Sequence, residues 1–311
     1  MSEPRTFQFH TLDVFTDRVF GGNPLAVFPD AAGLSGEDMR QIAREFNLSE
    51  TVFVFPPENA AHTARLRIFT PGMELPFAGH PTVGTALLLS WLGRVPLAGD
   101  AAEAVLEEGV GPVRVALSGQ GGRADFARLT AAVLPEWGPP APTASILAQL
   151  LSLDPDEIGA DGFEAETVSC GVPFQIIPVR DTDVLSRARL NRATWNEHVG
   201  PGWAPHVYVF TPDGESADLR ARMFAPAMGI DEDPATGAAA SAFAGYLARR
   251  LDGAPERVLR WSVAQGVEMG RPSLLHLEAD IRGGEIAAVR VGGGAVPVTT
   301  GHLTLPVADA S

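Results

Sequence analysis

The sequence has one cysteine, few positive charges and no long apolar run, and each shortage excludes a class of protein. With Cys170 alone there can be no internal disulfide and no cysteine metal cluster. The 23 Lys and Arg against 38 Asp and Glu give a net charge of −15, which argues against nucleic acid and anionic membranes as partners. No stretch reaches the roughly 20 apolar residues of a membrane span, and no signal-peptide pattern is visible. We therefore expect a cytoplasmic protein.

Common ligand-binding motifs are also missing. There is no G-x-G-x-x-G after a strand, no Walker loop, no H-E-x-x-H and no G-x-S-x-G, and the seven histidines do not cluster. We therefore expect neither a nucleotide cofactor nor a metal site. Nothing near Cys170 in the sequence would lower its pKa, so a buried, inert thiol is favoured over a reactive one.

What the sequence does contain is a segment that recurs once, half a chain apart. The first copy reads RIFTPGM at residues 67–73 and continues as FAGHPTVGTA at 77–86. The second reads RMFAPAM at 222–228 and continues as DPATGAAA at 233–240. Each copy predicts a strand, a proline-marked loop and an alanine-rich helix that begins near a glycine. Because 311 residues suffice for two domains, the recurrence predicts two similar lobes.

The remaining patterns predict an α+β fold. Alternating apolar residues indicate many strands of antiparallel type, with two central helices at 81–92 and 238–251. Ser35 with Asp38 three residues later predicts a capped helix start. A short strand at 301–306 could return to the first lobe. We therefore expect lobes at 1–122 plus 297–311 and at 123–296, with a linker between about 118 and 125.

Three ionisable residues lie where catalysis is plausible. Glu50 follows a helix and opens an apolar strand, so partial burial would raise its pKa and suit a general base; the alternative is a solvated strand end. His80 opens an apolar helix, whose N-terminus favours a neutral ring for proton transfer or for simple capping. Asp233 precedes a proline, so it either orients a substrate group or only forms a turn.

The two helix starts provide a further feature. Free N–H groups at residues 79–82 and 236–239 would bind a carboxylate or a developing oxyanion. The alternative is that the glycines there only permit tight turns.

Five segments together resemble the phenazine-biosynthesis PhzF-like family, whose relatives include the diaminopimelate epimerases. The segments are DVFTDRVFGGNPLAV (13–27), NLSET (47–51), FAGHPTVGTA (77–86), DPATG (233–237) and QGVEMGRP (265–272). The resemblance implies two pseudo-symmetric lobes of diaminopimelate epimerase-like fold, each a barrel-like mixed sheet around a central helix. It also implies an enzyme without a cofactor, and a homodimer.

The resemblance assigns roles residue by residue. It places the catalytic glutamate on Glu50, the glycine–histidine pair on Gly79 and His80, and the aspartate on Asp233. The expected substrate-binding residues are the following: Ser49, Gly79, Thr236, Gly237 and Ala238. One departure is Ala238, because the phenazine enzyme has serine there, so a hydroxyl is missing and the phenazine substrate itself is in question.

These observations lead to the hypothesis of a cofactor-independent isomerase that acts on a small carboxylate substrate. Glu50 would remove and return the proton, and His80 and Asp233 would orient the substrate. An amino-acid racemase or epimerase is the enzymatic alternative. The related epimerases use two cysteines, at positions that correspond to the neighbourhood of His80 and Ala238, and alanine cannot serve as a base. A binding protein that keeps the fold without the reaction is the other alternative.

Overall fold

Each half of the chain builds a mixed sheet and one apolar central helix. The structure is a computed structural model that describes residues 5–212, 214, 216–251 and 253–306. Its contacts divide the chain into unit 1 (Met1–Phe20, Pro24–Ala127 and Gly294–Ser311) and unit 2 (Gly21–Asn23 and Arg128–Gly293). The lobe boundaries at 122/123 and 296/297 stay a prediction.

In its described residues, unit 1 has two helices and nine strands, which lie wholly or mostly within it. The elements are β1 (Arg5–Val14), β2 (Asn23–Phe28), α1 (Gly36–Phe46), β3 (Glu50–Phe55), β4 (Ala64–Phe69), β5 (Glu74–Leu75), α2 (Gly79–Trp91), β6 (Ala101–Glu108), β7 (Gly111–Gln120), β8 (Arg123–Thr130), which ends in unit 2, and β18 (Ala295–Leu305). The strand order is β18–β1–β2–β3–β4–β6–β7, with β5 as a hairpin partner of β4. The pairs β2–β3 and β4–β6 are parallel, because a helix crosses over between their strands.

Unit 2 repeats this arrangement. Its elements are β9 (Glu136–Trp137), α3 (Ala144–Leu151), β10 (Glu166–Ser169), β11 (Pro173–Pro178), α4 (Thr182–Arg187), α5 (Arg192–His198), β12 (His206–Thr211), β13 (Leu219–Ala225), β14 (Ile230–Asp233), α6 (Gly237–Ala248), β15 (Arg257–Gln265), β16 (Ser273–Arg282) and β17 (Glu285–Gly293). The order β10–β11–β12–β13–β15–β16–β17 again has parallel pairs at β11–β12 and β13–β15, and β14 is a hairpin partner of β13. The predicted α+β class with a mixed sheet and central helix is confirmed.

The central helices are apolar on every side, as expected of helices that are surrounded by protein. In α2, all residues from Gly79 to Ser90 are buried, and the helix packs against β1, β3, β6 and β7. In α6, Ala238 is the one residue that is not buried, and the helix packs against β10, β11, β16 and β17. Gly84 lets α2 approach its sheet, because an added Cβ would lie 2.6 Å from Val14 and 2.7 Å from Leu25.

The arginine that recurs in the two sequence copies forms an ion pair across the hairpin that precedes each central helix. Arg67 on β4 donates to both carboxylate oxygens of Glu74 on β5, at 2.7 and 2.6 Å. Arg222 on β13 donates in the same bidentate way to Glu232 on β14, at 2.8 Å for each bond. Such two-point pairs fix geometry as well as charge, so the strand, the loop and the helix start are positioned alike in both units.

Two local expectations need correction. The segment expected to be a linker is a β-hairpin, in which β7 and β8 meet at Gly121 and Gly122, both with positive φ. The strand expected at 301–306 is much longer and begins at Ala295, and it does pair with β1. Within the described residues, no helix is long and apolar enough to span a membrane.

Candidate functional site

Glu50 is positioned by the end of α1. The predicted capping box is present, with the Ser35 hydroxyl accepting from the Asp38 amide. The helix ends at Asn47, whose left-handed backbone (φ 49°) turns the chain, and β3 begins three residues later at Glu50. Phe53 of β3 packs in the α1 cluster. Because side chains alternate along a strand, Glu50 is on the opposite face, towards α2.

His80 is the second residue of α2 and lies beside Glu50. Its Nε2 is 3.2 Å from Oε2 of Glu50, and the two side chains are only 5% and 11% exposed. Burial lowers the pKa of His80 to about 3, although a hydrogen bond to the Pro24 carbonyl acts in the opposite direction. The ring is therefore neutral at pH 7, as the sequence predicts, and burial is the main physical cause.

The hydrogen bond to Pro24 also defines the tautomer of His80. A carbonyl oxygen only accepts, so the nitrogen that faces Pro24 carries the hydrogen. Since Nε2 faces Glu50, the donor is Nδ1 and Nε2 presents a lone pair. The 3.2 Å contact does not meet the angles of a hydrogen bond. After a small rotation of either side chain, a protonated Glu50 would donate to this lone pair, so the pair is suited to hold one proton.

The start of α2 offers fewer amides than the sequence suggests. Its N-cap, Ala78, has no side-chain hydrogen bond. Pro81 has no N–H, and the Thr82 amide already donates to Ala78 at 3.2 Å. The amides of Gly79 and His80 are thus the ones left for an anion.

A second cluster surrounds Asp233 in unit 2. Its Oδ2 accepts a 2.5 Å hydrogen bond from the Thr236 hydroxyl, and its Oδ1 accepts a 2.9 Å bond from Asn23 Nδ2. Asn23 is fully buried and also donates to the Ala235 carbonyl at 2.9 Å. Burial raises the pKa of Asp233 to about 6, while these two hydrogen bonds act in the opposite direction. The side chain of Asp233 is therefore fixed by two hydrogen bonds, so the residue does more than form a turn.

Gln265, at the end of β15, forms hydrogen bonds with the loop between Asp233 and the start of α6. Its Nε2 donates to the Asp233 carbonyl at 2.8 Å and to the Thr236 hydroxyl at 3.1 Å, and its Oε1 accepts from the Thr236 amide at 3.4 Å. These bonds leave the amides of Gly237, Ala238 and Ala239 as the unpaired ones of the first turn of α6. The free amides expected at residues 236–239 are therefore limited to residues 237–239, because the Thr236 amide is already paired.

The hydroxyl of Thr236 should control the ionisation of Asp233. In a Thr236→Val variant the carboxylate loses its shortest hydrogen bond but remains buried, so we expect the Asp233 pKa to rise above about 6. The measurement is a ¹³C NMR titration of aspartate carboxyl carbons in both proteins. An unchanged or lower midpoint in the variant would show that the short bond does not act on the carboxylate.

The predicted site residues thus form two groups. The structure brings together Glu50 with His80, and Asp233 with Thr236. Ser49 is half-buried in the turn before β3, and the other three residues belong to the helix starts through their backbone: Gly79, Gly237 and Ala238.

Asn23 and Gln265 are functional residues that the sequence did not single out. Both lie inside the segments that carry the family resemblance. Their signal was a polar residue beside a glycine at a strand end. Among the described residues, no group of three or more His, Cys, Asp or Glu side chains could hold a metal ion.

Cys170 is half-buried rather than fully buried. Burial raises the pKa of its thiol to about 12, so the thiolate is scarce at neutral pH. The predicted inert thiol is consistent with this environment.

Comparisons with known proteins agree on one family. Residues 12–301 match the model of the phenazine biosynthesis-like proteins, PhzC-PhzF. The chain is 43% identical to an uncharacterised isomerase of Mesorhizobium japonicum, covering 96% of this chain and 99% of that protein. It is 34% identical to the trans-2,3-dihydro-3-hydroxyanthranilate isomerase of Pseudomonas aeruginosa, with the same coverage.

A solved structure shows the same fold. The phenazine biosynthesis protein of the PhzF family from Bacillus anthracis superposes with a TM-score of 0.85, at 24% identity, over 96% of this chain and 99% of that chain. Together with the family match and the named relatives, this shows that the chain belongs to the phenazine biosynthesis-like (PhzC-PhzF) family and is an isomerase.

Proposed function

We propose that the enzyme shifts a proton within a small unsaturated carboxylate and needs no cofactor. The observation that carries the proposal is the Glu50–His80 pair, in which a buried carboxyl group lies 3.2 Å from Nε2 of a neutral imidazole. A base of this kind can take a proton from carbon and keep it away from water until it is returned.

The proton leaves one carbon of the substrate and returns to another. Glu50 takes a proton from an acidic C–H, and the electrons of that bond move into the conjugated system. The new carboxylic acid of Glu50 donates to Nε2 of His80, which holds the proton in place. Glu50 then gives the proton to another carbon of the same system, where a new C–H bond forms, so the enzyme returns to its starting protonation state and the substrate becomes its isomer.

Three further features support the stabilisation of charge. The amides of Gly79 and His80 are donors for the substrate carboxylate or for developing negative charge, and the unpaired amides at the start of α6 have the same chemistry. Asp233, held by Thr236 and Asn23, would accept a hydrogen bond from a hydroxyl or amino group of the substrate.

The substrate class follows from the relatives and from one departure. The 34% identical Pseudomonas protein is an isomerase of trans-2,3-dihydro-3-hydroxyanthranilate. Ala238 is the one residue of α6 that is not buried, and it has no hydroxyl. We therefore expect an unsaturated carboxylate that lacks a partner for the family serine, and a lower rate with the phenazine precursor itself.

The test is isomerisation in heavy water. The enzyme is incubated with trans-2,3-dihydro-3-hydroxyanthranilate and with a panel of small unsaturated and amino carboxylates, and products are analysed by NMR and mass spectrometry. We expect a shifted double bond for at least one conjugated carboxylate, with at most partial deuterium at the carbon that receives the proton, because Glu50 keeps the proton away from water.

Two outcomes would contradict the proposal. Deuterium at the carbon that lost the proton, with inversion there, would indicate a racemase or epimerase. Tight binding of a carboxylate in calorimetry, with neither label nor isomer, would indicate a binding protein.

Two properties of the enzyme stay proposals. We expect a homodimer in the cytoplasm, as the family resemblance and the single cysteine suggest. Sedimentation equilibrium would give a mass of twice 32.8 kDa for the dimer.

A further inference from the structure

Glu108 is a buried carboxyl group that the proposed reaction does not use. It is the last residue of β6 and is 8% exposed. Its Oε1 lies 2.7 Å from the Thr82 hydroxyl, in the first turn of α2. That turn also carries Gly79 and His80, so Glu108 contacts the helix segment that holds the proposed proton-transfer pair.

A count of hydrogens shows which form of Glu108 fits. The Thr82 hydroxyl is 2.7 Å from Glu108 and also 2.7 Å from the Ala78 carbonyl. It has one hydrogen, and a carbonyl oxygen can only accept. If Glu108 is ionised, the carboxylate and the carbonyl compete for that hydrogen. If Glu108 is protonated, its O–H donates to Thr82 and Thr82 donates to Ala78, so both contacts of the Thr82 hydroxyl are hydrogen bonds.

The surroundings of Glu108 favour the same form. Burial raises its pKa to about 8, although the contact with Thr82 acts in the opposite direction. The charged side chains that line the neighbouring groove are already paired, as the following contacts show: Arg67 with Glu74, Arg65 with Glu58, and His62 with Glu107. The helix α2 has no ionisable side chain besides His80, and among the described residues no cation pairs with Glu108.

The internal repeat supplies an independent argument. Gln265 ends β15 as Glu108 ends β6, and both strands run parallel to the strand with the recurring arginine. A glycine follows each of them, Gly109 or Gly266, and an added Cβ there would lie within 3.0 Å of the proline that precedes the central helix. Gln265 is neutral and ties the start of α6 through the Thr236 hydroxyl. Unit 2 therefore has, at this position, the amide analogue of a protonated glutamate.

We propose that Glu108 is a positioning residue that works as a neutral carboxylic acid, donating to Thr82 and so fixing the first turn of α2 with Gly79 and His80. The consequence for catalysis depends on the proposed role of His80, whereas the consequence for stability does not. Ionisation of Glu108 would loosen this turn.

The sign of the pH effect on stability follows from the direction of the pKa shift. The pKa of Glu108 is higher in the folded protein than the ordinary value of 4.5. Its stabilising contribution is therefore complete below about pH 4.5 and is lost as the pH rises through about 8. A Glu108→Gln variant keeps a neutral donor at every pH, so the contribution of this residue to stability should stay constant over this range.

The experiment compares melting temperatures from pH 5 to pH 9.5 for the full-length wild type, Glu108→Gln and Glu103→Gln. Glu103 lies on the same strand, exposed and paired with Arg114, and is the matched control. We expect the melting temperature of Glu108→Gln to gain several degrees relative to wild type between pH 5 and pH 9, with no such gain for Glu103→Gln. A constant difference between Glu108→Gln and wild type would overturn the proposal.

A second readout follows the position of His80. In ¹⁵N NMR of imidazoles, the His80 signal should be the same in Glu108→Gln as in wild type at pH 6, and should shift in Glu108→Ala. An equal shift in both variants would refute positioning by a neutral donor. If Glu108→Ala does not fold, the Gln variant and the wild-type pH dependence still decide the question.

Activity separates this proposal from the proposed reaction. The isomerisation rate of the wild type should fall above about pH 8 more than that of Glu108→Gln. If Glu50→Gln keeps full activity, the proposed reaction fails, while the melting data on Glu108 remain a valid test of its neutral state.

Discussion

Glutamine in place of Glu50 is expected to lower kcat by a factor of about 10³, because an amide cannot take a proton from carbon. The side chain keeps its size, and its NH₂ group can donate to the Nε2 lone pair of His80, so the fold and KM should change little. Steady-state kinetics on the substrate found in the heavy-water panel will measure both constants.

The design around Glu50 includes two further variants. Glu58→Gln makes the same chemical change at an exposed position of unit 1 and should leave kcat unaltered. Glu50→Asp keeps the carboxylate but shortens the side chain by one methylene, which should lower kcat by about 10²-fold. Full activity of Glu50→Gln would assign the proton transfer to another residue.

Asparagine in place of Asp233 is expected to lower kcat/KM by about 10²-fold. The carboxylate accepts from two donors, Thr236 and Asn23, with one oxygen each. An amide has a single acceptor oxygen, so its NH₂ group must face one of these donors. The loss is of the size seen when one oriented hydrogen-bonding group is removed from an active site.

Asp231 offers a matched control for this change. It lies two residues earlier on the same strand, and its side chain is 92% exposed and paired with Arg192. Asp231→Asn should keep the activity of the wild type. Equal losses in both variants would mean that β14 is sensitive to any change of charge, and Asp233 would then have no special part in the reaction.

Local patterns predicted the local structure well. The capping box of Ser35 and Asp38, the alternating strands and the two apolar central helices each depend on neighbours in the sequence, and the structure has them. The hairpin at Gly121 and Gly122 was mistaken for a linker, because glycine pairs also occur in tight turns between paired strands. The short helices α4 and α5 contain too few turns to give a periodic signal.

The sequence named several residues of the site but neither their pairings nor Asn23 and Gln265. Glu50 and His80 are 30 positions apart, and strands β4 and β5 lie between β3 and α2 in the chain, so only the folded sheet brings the two side chains together. The contact of Asn23 with Asp233 spans 210 positions. The pattern of Glu108 with Gly109 recurs as Gln265 with Gly266, and this second recurrence was readable in the sequence.

The repeat shares a scaffold without sharing its chemistry. In unit 1 the strand after the first crossover opens with Glu50, opposite Leu25. In unit 2 the corresponding strand opens with His206, opposite Phe174. His206 is buried, which lowers its pKa to about 4. Ala238 has the helix position that His80 has in unit 1, so the corresponding positions of unit 2 do not place a carboxylate beside an imidazole.

The pairing of β1 with β18 has a consequence for the order of events during synthesis. Arg5 lies opposite Leu305 and Val14 opposite Ala295, so the first described strand has the last described strand as its neighbour. That ladder cannot close until β18 has been made, whereas the ladders from β10 to β13 and from β15 to β17 join strands that are close together in the sequence. The second half of the chain can therefore begin to fold while the first half still lacks its edge strand.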